Sequence, residues 1–299
     1  MLSNTVFHLN RIVLKMFKQK LFVILIIVLS GVDLLAKNVH TRIENLPLYE
    51  FGVGGGYFVS PYYQGSEQNQ IRTLGIPFFI YRGKILKSDR DGGTRAEFYK
   101  EKNFRFDLTV SGGFSAKSTE VDARQGMPDL DYMGAIGPRL KWIVYSSHKW
   151  GSIKLSLPLL AAYVSDFKKT QDIGFIFHPN MTYNVDRFIY KWWDLFFRIG
   201  AIWAEDRYMD YYYDVKPQYA NIQRDIYEAR SGLLEKHIDA AAAFRINSRW
   251  RLFLGIQYSD YSQVANRESP LLTAKDTLGV GIGLIWTVYE SEKKAGQWL

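Results

Sequence analysis

Apolar and polar residues alternate along most of this chain, and that alternation constrains the fold more than any other feature of the sequence. From Tyr49 to Tyr289, segments in which every second residue is apolar follow one another, separated by polar, glycine and proline clusters. A period of two is typical of β-strands, because successive side chains of a strand point to opposite faces. One segment alternates Phe104, Phe106, Leu108 and Val110 with Arg105, Asp107 and Thr109. We therefore expect an all-β protein.

The two faces of each segment follow from the same alternation. In the second segment, we expect the apolar outer face to carry Leu74, Ile76, Phe78 and Ile80. The polar face is expected to carry Arg72 and Arg82. In the last segment, Val280, Ile282 and Leu284 oppose Gly279, Gly281 and Gly283. Glycines on an inner face are expected to let bulky neighbours approach the backbone.

Long apolar faces and aromatic segment ends favour a membrane barrel over a soluble sandwich. One face comprises Trp193, Leu195, Phe197, Ile199, Ala201 and Trp203. Such a face suits a strand of about 9 to 11 residues that crosses hydrocarbon at a tilt, whereas sandwich strands average about 5 to 6 residues in total. Aromatic residues make up 16% of the chain and gather where segments end, as they do at membrane interfaces. The predicted fold is a transmembrane antiparallel up-and-down β-barrel.

The connections between segments predict the topology. Short links, such as 146–149 and 247–249, alternate with long ones, such as 116–131 and 205–227, as expected when periplasmic turns are short and outer loops are long. Twelve strands fit the chain if 85–99 forms a hairpin of two shorter strands around Asp91-Gly92-Gly93. Ten strands are the alternative if that stretch is a loop.

The first residues of the chain have the layout of a signal peptide. An apolar run from Leu21 to Val32 follows Arg11, Lys15, Lys18 and Lys20, and it is shorter than the roughly 20 residues that a spanning helix needs. We predict a signal peptide over 1–36, with Met16 as an alternative start and an uncleaved anchor as the alternative. The remaining predicted boundaries are a periplasmic segment at 37–47, the barrel at 48–289 and a C-terminal tail at 290–299.

Composition excludes several classes of function. The chain has no cysteine, which excludes disulfide scaffolds, thiolate metal sites and cysteine nucleophiles. The net charge is +8, but the basic residues are scattered among acidic ones, so nucleic-acid binding is not expected. No cofactor and no metal site is predicted.

Several motifs occur in an order that resembles the MipA/OmpV family of outer-membrane proteins. They include Pro-Tyr-Tyr-Gln-Gly-Ser at 61–66, Ala-Arg-Gln-Gly-Met-Pro-Asp-Leu-Asp at 123–131 and Ile-Gly-Pro at 136–138. The positions carried by the resemblance are Pro61, Tyr63, Gly65, Ser66, Arg124, Gly126, Met127, Pro128, Asp129, Asp131, Gly137 and Pro138.

The resemblance implies a function as well as a fold. The founding member of the family is an adaptor that links a lytic transglycosylase to a penicillin-binding protein, and other members resemble porins or adhesins. We therefore expect a non-catalytic scaffold in the cell outer membrane, in contact with its lipid and with those two kinds of murein enzyme. A small-solute channel or a surface adhesin is the alternative.

Charged residues of both signs are predicted to face the lumen of the barrel. They are Glu50, Arg72, Arg105, Asp107, Arg139, Lys141, Asp194, Arg198, Glu235, Asp239, Arg245 and Arg251. Their mixture suggests a lumen crossed by salt bridges, and a narrow selective pore is the alternative.

Two further groups are candidate sites. The inward histidines, His178 with Asn180 and His237 with Asp239, have no serine at a spacing diagnostic of nucleophilic catalysis. In the loop 126–131, Asp129 and Asp131 could accept hydrogen bonds from backbone amides or lumen arginines. Loop folding is the expected role of these two carboxylates, with partner recognition as the alternative.

Overall fold

The computed structural model describes residues 47–82, 86–89, 93–101, 103–147, 150–188 and 192–295. The predicted signal peptide, 1–36, lies outside the described residues, as do 37–46 and the last part of the predicted tail, 296–299. Within the described ranges, no helix is both long enough and apolar enough to span a membrane.

Antiparallel strands make up most of the described chain and belong to a single sheet. Their bounds are β1 Tyr49–Pro61, β2 Asn69–Arg82, β3 Leu86–Asp89, β4 Gly93–Lys100, β5 Phe104–Gly113, β6 Tyr132–Ser147, β7 Gly151–Ser165, β8 Thr170–Phe177, β9 Asn180–Phe188, β10 Trp193–Ala204, β11 Gly232–Arg245, β12 Trp250–Asp260 and β13 Asp276–Glu290. Apart from β8 and β9, neighbours in sequence pair with each other, and β13 returns to pair with β1, for example Val280 with Val59. The pairings therefore form a closed circuit, and the predicted all-β, up-and-down antiparallel fold is confirmed.

Strands β8 and β9 occupy one position in this circuit. Both pair with β7, β8 through Leu159–Ser165 and β9 through Ser152–Ser156, and both also pair with β10. Only His178 and Pro179 separate them. The thirteen strands of the described chain thus fill twelve positions, and the stretch 85–99 contributes the hairpin β3–β4.

Side chains alternate between an outer apolar face and a lumen face. On β6, Ile136 and Leu140 of the outer face are 43% and 42% exposed, whereas Arg139 and Lys141 of the lumen face are buried. Large exposed hydrophobic residues continue around the circuit, including Val280, Ile282 and Leu284 of β13. A surface of this kind is suited to lipid and would be a liability in water.

The interpretation of β2 from sequence was wrong. Its exposed positions include Ile71 and Phe79, whereas Leu74, Phe78 and Ile80 lie on the same, less exposed face as Arg72 and Arg82. All of those inner positions are even-numbered, so a strand period of two places them together.

Glycines of β1 and β13 make room for inner aromatic rings. A Cβ atom added at Gly52 would lie 2.6 Å from the Phe78 ring, and one added at Gly281 would lie 2.8 Å from the Phe58 ring. These inner glycines thus allow the close packing that the glycine-rich last segment predicts.

The two ends of the barrel differ in their connections. The described long loops 62–68, 114–131, 205–231 and 261–275 emerge at one end, here called the loop end, and short connections such as 246–249 lie at the other, the turn end. The loops contain 3-10 turns at Ser118–Glu120, Asp122–Arg124 and Pro217–Tyr219 and one α-helix, α1, at Asp206–Tyr213. At the turn end, Leu48 and Tyr49 bond to Lys293 and Ser291, which joins the two ends of the described chain.

Candidate functional site

The four long loops pack together into a cap over the loop end of the barrel. Helix α1 buries Tyr208, Met209, Tyr212 and Tyr213, a spacing that places all four on one helical face. The other loops contribute buried apolar residues to the same cluster, namely Tyr63, Val121, Met127, Leu130, Val215, Tyr261, Leu271 and Leu272. The cap therefore has a hydrophobic core, which contains five tyrosines and continues into buried wall residues such as Leu160 and Leu234.

The first motif, at 61–66, lies inside this cap. The buried Tyr63 hydroxyl donates to the carbonyl of Leu271, and Ser66, which is also buried, donates from its backbone amide to the Tyr63 carbonyl (3.0 Å). Gly65 has φ +80°, and a Cβ atom there would lie 2.9 Å from Leu272 Cγ. Glycine is favoured at this position because other residues adopt such a φ only with strain.

Arg124 of the second motif is buried and joins three parts of the cap. Its guanidinium donates to the carbonyls of Tyr212 (3.0 Å) and Pro128 (3.4 Å), and it lies 5.7 Å from the centroid of the Tyr63 ring. The following turn contains Gly126 at φ +79° and the buried Met127. This motif thus connects the 114–131 loop to α1 and to the first loop.

The two aspartates of the motif make different contacts. Asp129 Oδ1 accepts the backbone N–H of Ser118 (2.7 Å), and hydrogen bonds from Ser118 lower the pKa of Asp129. The backbone N–H of Asp131 donates to the Tyr211 hydroxyl (2.8 Å), while burial and the nearby Asp166 and Asp129 raise the pKa of its carboxyl. Within the described residues, no group of three or more histidine or acidic side chains is arranged to hold a metal ion.

Gly137 and Pro138 of the third motif lie in the wall and not in the cap. The pairing of β6 with β7 passes from Ile136–Ala161 directly to Arg139–Pro158. A Cβ atom at Gly137 would lie 2.0 Å from the Leu159 carbonyl oxygen. Only glycine lets the two strands approach this closely.

Burial controls the ionisation of the cap tyrosines. It raises the pKa of Tyr63 to about 12 and also raises the pKa values of Tyr208, Tyr212 and Tyr213. The hydroxyls therefore stay protonated at neutral pH and act as hydrogen-bond donors. Tyr213 donates to the Gln64 carbonyl (2.7 Å), and Tyr208 donates to Gln64 Oε1 (3.0 Å).

Below the cap, ion pairs cross the lumen face of the wall. Arg139 binds Asp107 through two bonds of 2.7 and 2.9 Å. Arg198 Nε lies 2.6 Å from Asp239 Oδ2 and Arg245 Nη2 lies 2.7 Å from Asp194 Oδ2. Arg251 Nη1 lies 3.5 Å from Glu50 Oε2, and Glu50 also pairs with Arg82. The structure thus brings much of the charged network predicted from sequence together, mostly as ion pairs between different strands.

Other residues of the predicted network have different surroundings. Arg72 donates to the carbonyl of Ser115 (3.1 Å) and covers the Phe114 ring. Arg105 and Lys141 are directly opposite each other on β5 and β6. The predicted network omits Arg82, which pairs with Glu50, although the sequence places it with Arg72 on the polar face of β2.

Glu235 is the buried carboxylate that connects the wall to the cap. It accepts hydrogen bonds from Ser259 Oγ (2.9 Å) and the Tyr261 hydroxyl (2.9 Å), and weaker ones from Gln64 and Gln257 (both 3.4 Å). We call Glu235, Ser259, Tyr261 and Gln64 the Glu235 cluster. Glu235 has no arginine partner in the described network, unlike the carboxylates below it.

The two inward histidines meet beside this cluster. His178 Nε2 and His237 Nε2 are 3.1 Å apart, and His237 Nδ1 lies 3.4 Å from Glu235 Oε1. Sequence could not foresee this contact, because His178 and His237 are 59 residues apart. Ser259 donates to Glu235 and not to a histidine, so the cluster lacks the nucleophile–base bond of a hydrolase.

The family of this protein follows from its sequence as a whole. A family model described as "MltA-interacting protein MipA" matches residues 53–288, a range that includes the cap, most or all of every strand and the lumen network except Glu50. The chain belongs to the MipA family. No curated protein sequence matches it significantly.

This MipA family member is similar to several solved structures at low sequence identity. OprB of Pseudomonas putida is 8% identical, with a TM-score of 0.38 over 80% of this chain and 94% of that one. The CymD monoaromatic hydrocarbon channel is 9% identical, with a TM-score of 0.37 over 83% and 90%. The outer membrane channel DcaP of Acinetobacter baumannii is 8% identical, with a TM-score of 0.34 over 84% and 100%.

This MipA family member is an outer-membrane β-barrel. Its family membership agrees with the closed circuit of strands and with the apolar side chains exposed on their outer faces. A closed circuit leaves no unpaired strand edge in hydrocarbon.

Proposed function

We propose that the protein is a non-catalytic scaffold that holds a murein hydrolase and a murein synthase together at the outer membrane. The hydrolase would be a lytic transglycosylase and the synthase a penicillin-binding protein. The family description, which names an interaction with MltA, supports an adaptor role, and the geometry of the lumen favours it over transport.

The observation that carries this proposal is the burial of charged side chains inside the barrel. Glu50 and Asp107 are each 1% exposed and Lys141 is 4% exposed, whereas charges that line a water-filled pore stay hydrated. Above them, the cap buries Tyr208 and Tyr213 almost completely. The buried charges and the cap together leave little room for a solute, so the surface of the barrel is the part available for function.

The chemistry of the lumen also favours a non-catalytic role. Ser259, Glu235 and His237 are buried, at 3%, 2% and 3% exposure, beneath the cap and away from any substrate in solution. A hydrolase needs a nucleophile bonded to its base at an accessible surface.

Docking is expected at the turn end, which we place in the periplasm, where murein lies. The turn after β11 is held by Asn247 Oδ1, which accepts the backbone N–H groups of Arg249 (2.9 Å) and Trp250 (2.8 Å). Arg249 is exposed on this fixed turn and can contact a partner without reordering it. Short connections provide a limited area, so single exposed positions should matter.

Co-purification from crosslinked envelopes tests the proposal. The wild-type chain should recover both murein enzymes, Arg249→Glu should recover less of at least one, and Lys216→Glu, an exposed charge reversal on the cap, should recover both. Absence of both enzymes from the wild-type sample would reject the scaffold role. Steady solute flux through wild-type protein in vesicles would support the channel, and loss of surface attachment on deletion would support the adhesin.

A further inference from the structure

The histidine pair lies where the wall of the barrel is interrupted. His178 occupies the break between β8 and β9, and His237 lies on β11, with ring centroids 4.8 Å apart and an edge-on angle of 72°. A Cβ atom added at Gly200 of β10 would lie 2.8 Å from His237 Nε2. The Nε2 end of the His237 ring, which faces His178, is thus also packed close to the backbone of β10, whereas its Nδ1 end faces Glu235.

The distance between the two rings limits how many protons the pair can hold. At 3.1 Å between the Nε2 atoms, one nitrogen must donate a hydrogen and the other must accept it. If both rings were protonated, two N–H groups of like charge would face each other. The observed geometry therefore accommodates at most one positive charge.

The charged groups around the pair favour a first proton and oppose a second. On β11, Glu235 Oε1 lies 3.4 Å from His237 Nδ1 and Asp239 Oδ2 lies 3.7 Å from its Nε2. From β10, Arg198 bonds to Asp239 and repels a charge on His178. A second proton would therefore meet the first imidazolium and a guanidinium, with Asp239 already paired.

Movement of His237 would be transmitted to the cap through the Glu235 cluster. Glu235 is bonded to Tyr261 at the start of the 261–275 loop and to Gln64 of the first loop. Gln64 in turn accepts hydrogen bonds from Tyr208 and Tyr213 of α1. Three of the four cap loops are thus within two hydrogen bonds of the carboxylate that faces His237.

We propose that the His178–His237 pair is a proton-binding site that controls the closure of the cap. With one proton or none, the pair holds the Glu235 cluster in place and the cap stays packed. Uptake of the second proton separates the rings, displaces Glu235 and loosens α1 and the 261–275 loop. This device is independent of the scaffold role proposed above.

Amide hydrogen exchange of the folded, full chain in detergent tests this proposal. Exchange in 205–231, corrected for the intrinsic effect of pH, is compared at about pH 7.5 and about pH 3.5, because a site that opposes the second proton takes it up below the ordinary histidine range. In the wild type, corrected exchange of α1 should rise about tenfold at the lower pH, while the strands stay protected. His178→Gln keeps a polar side chain that cannot be protonated, so its α1 exchange should be the same at both pH values.

Matched variants separate this mechanism from other titrating groups. Asp131→Asn removes a carboxyl of the cap whose pKa is raised, and it should keep the wild-type response. His237→Gln replaces His178→Gln if the latter does not fold. A wild-type cap with unchanged exchange, a full response in the histidine variant, or loss of the response in Asp131→Asn would each overturn the proposal.

Discussion

The two halves of the lumen are lined by different chemistry. Toward the turn end, charged side chains from adjacent strands pair with each other, as Arg139 does with Asp107 and Arg245 with Asp194. At the loop end, tyrosines and aliphatic residues from loops far apart in sequence form a core, as Tyr63 and Leu271 do across 208 residues. The first half depends on matching charges and the second on filling volume.

This difference determines how each half should respond to mutation. A buried charge that loses its partner keeps the full cost of desolvation, so the lower network is sensitive to single deletions and tolerant of paired ones. A hydrophobic cluster loses stability in proportion to the atoms removed and the cavity left. The cap should also open locally, because loops can lose their packing while strand hydrogen bonds remain.

The largest effect is expected at the Asp107–Arg139 pair. Asp107→Ala leaves Arg139 buried without this carboxylate and should lower the free energy of unfolding by about 3 to 5 kcal/mol. Urea titration of the protein in lipid vesicles measures this loss. Adding Arg139→Met to Asp107→Ala should recover most of the lost stability. If Asp107→Ala alone were as stable as the wild type, the two halves would not differ in their sensitivity to single substitutions.

A somewhat smaller effect, confined to the cap, is expected from Leu271→Ala. Leu271 has no exposed surface, and its truncation should cost about 3 kcal/mol. Amide exchange should accelerate in 205–231 and 261–275 while β11 and β12 keep their protection. Leu254→Ala, on the outer face of β12, is the matched control; equal acceleration in both variants would contradict a separate cap core.

Tyr213→Phe sharpens the contrast further, because it removes a hydroxyl and preserves volume. The Gln64 carbonyl would lose its 2.7 Å hydrogen bond, and the cap should lose about 1 kcal/mol. Exchange of α1 amides measures the change. Tyr57→Phe on the outer face of β1 should leave them unaffected, and a loss as large as that of Leu271→Ala would mean that polar contacts dominate the cap.

The smallest effect is expected from the titration of Asp129. Hydrogen bonds from Ser118 lower its pKa, so its carboxylate stabilises the loop above the pKa of the unfolded chain, and this contribution is lost as pH falls through the lower, folded value. Protection of the Ser118 amide should therefore fall in acid in the wild type. Asp129→Ala should show weaker protection at neutral pH and little further loss.

The sequence predicts the lower half of the lumen far better than the cap. Parity along the strands assigns Asp107, Arg139, Arg198 and Asp239 to the inner face, and neighbouring strands in an up-and-down barrel must pair, which places Asp107 opposite Arg139. At β2 the interpretation from sequence departed from this rule. It put Leu74 and Arg72 on opposite faces, although both are even-numbered and a period of two places them on the same face.

The cap could not be predicted in the same way. Its contacts join loops without periodicity, so nothing local in the sequence indicates that Arg124 reaches Tyr212 or that Tyr63 reaches Leu271. The contact between His178 and His237 likewise could not be predicted, because His178 lies in the break between β8 and β9. The family motifs identified the residues of the cap without revealing their contacts.

Ion conductance across planar bilayers at neutral pH tests most directly whether both halves of the lumen are filled. The wild-type chain, inserted as folded protein, should show no steady ohmic current, because the lower ion pairs and the cap together exclude a continuous water path. A stable open conductance in every inserted molecule would contradict this account and show that the lumen conducts.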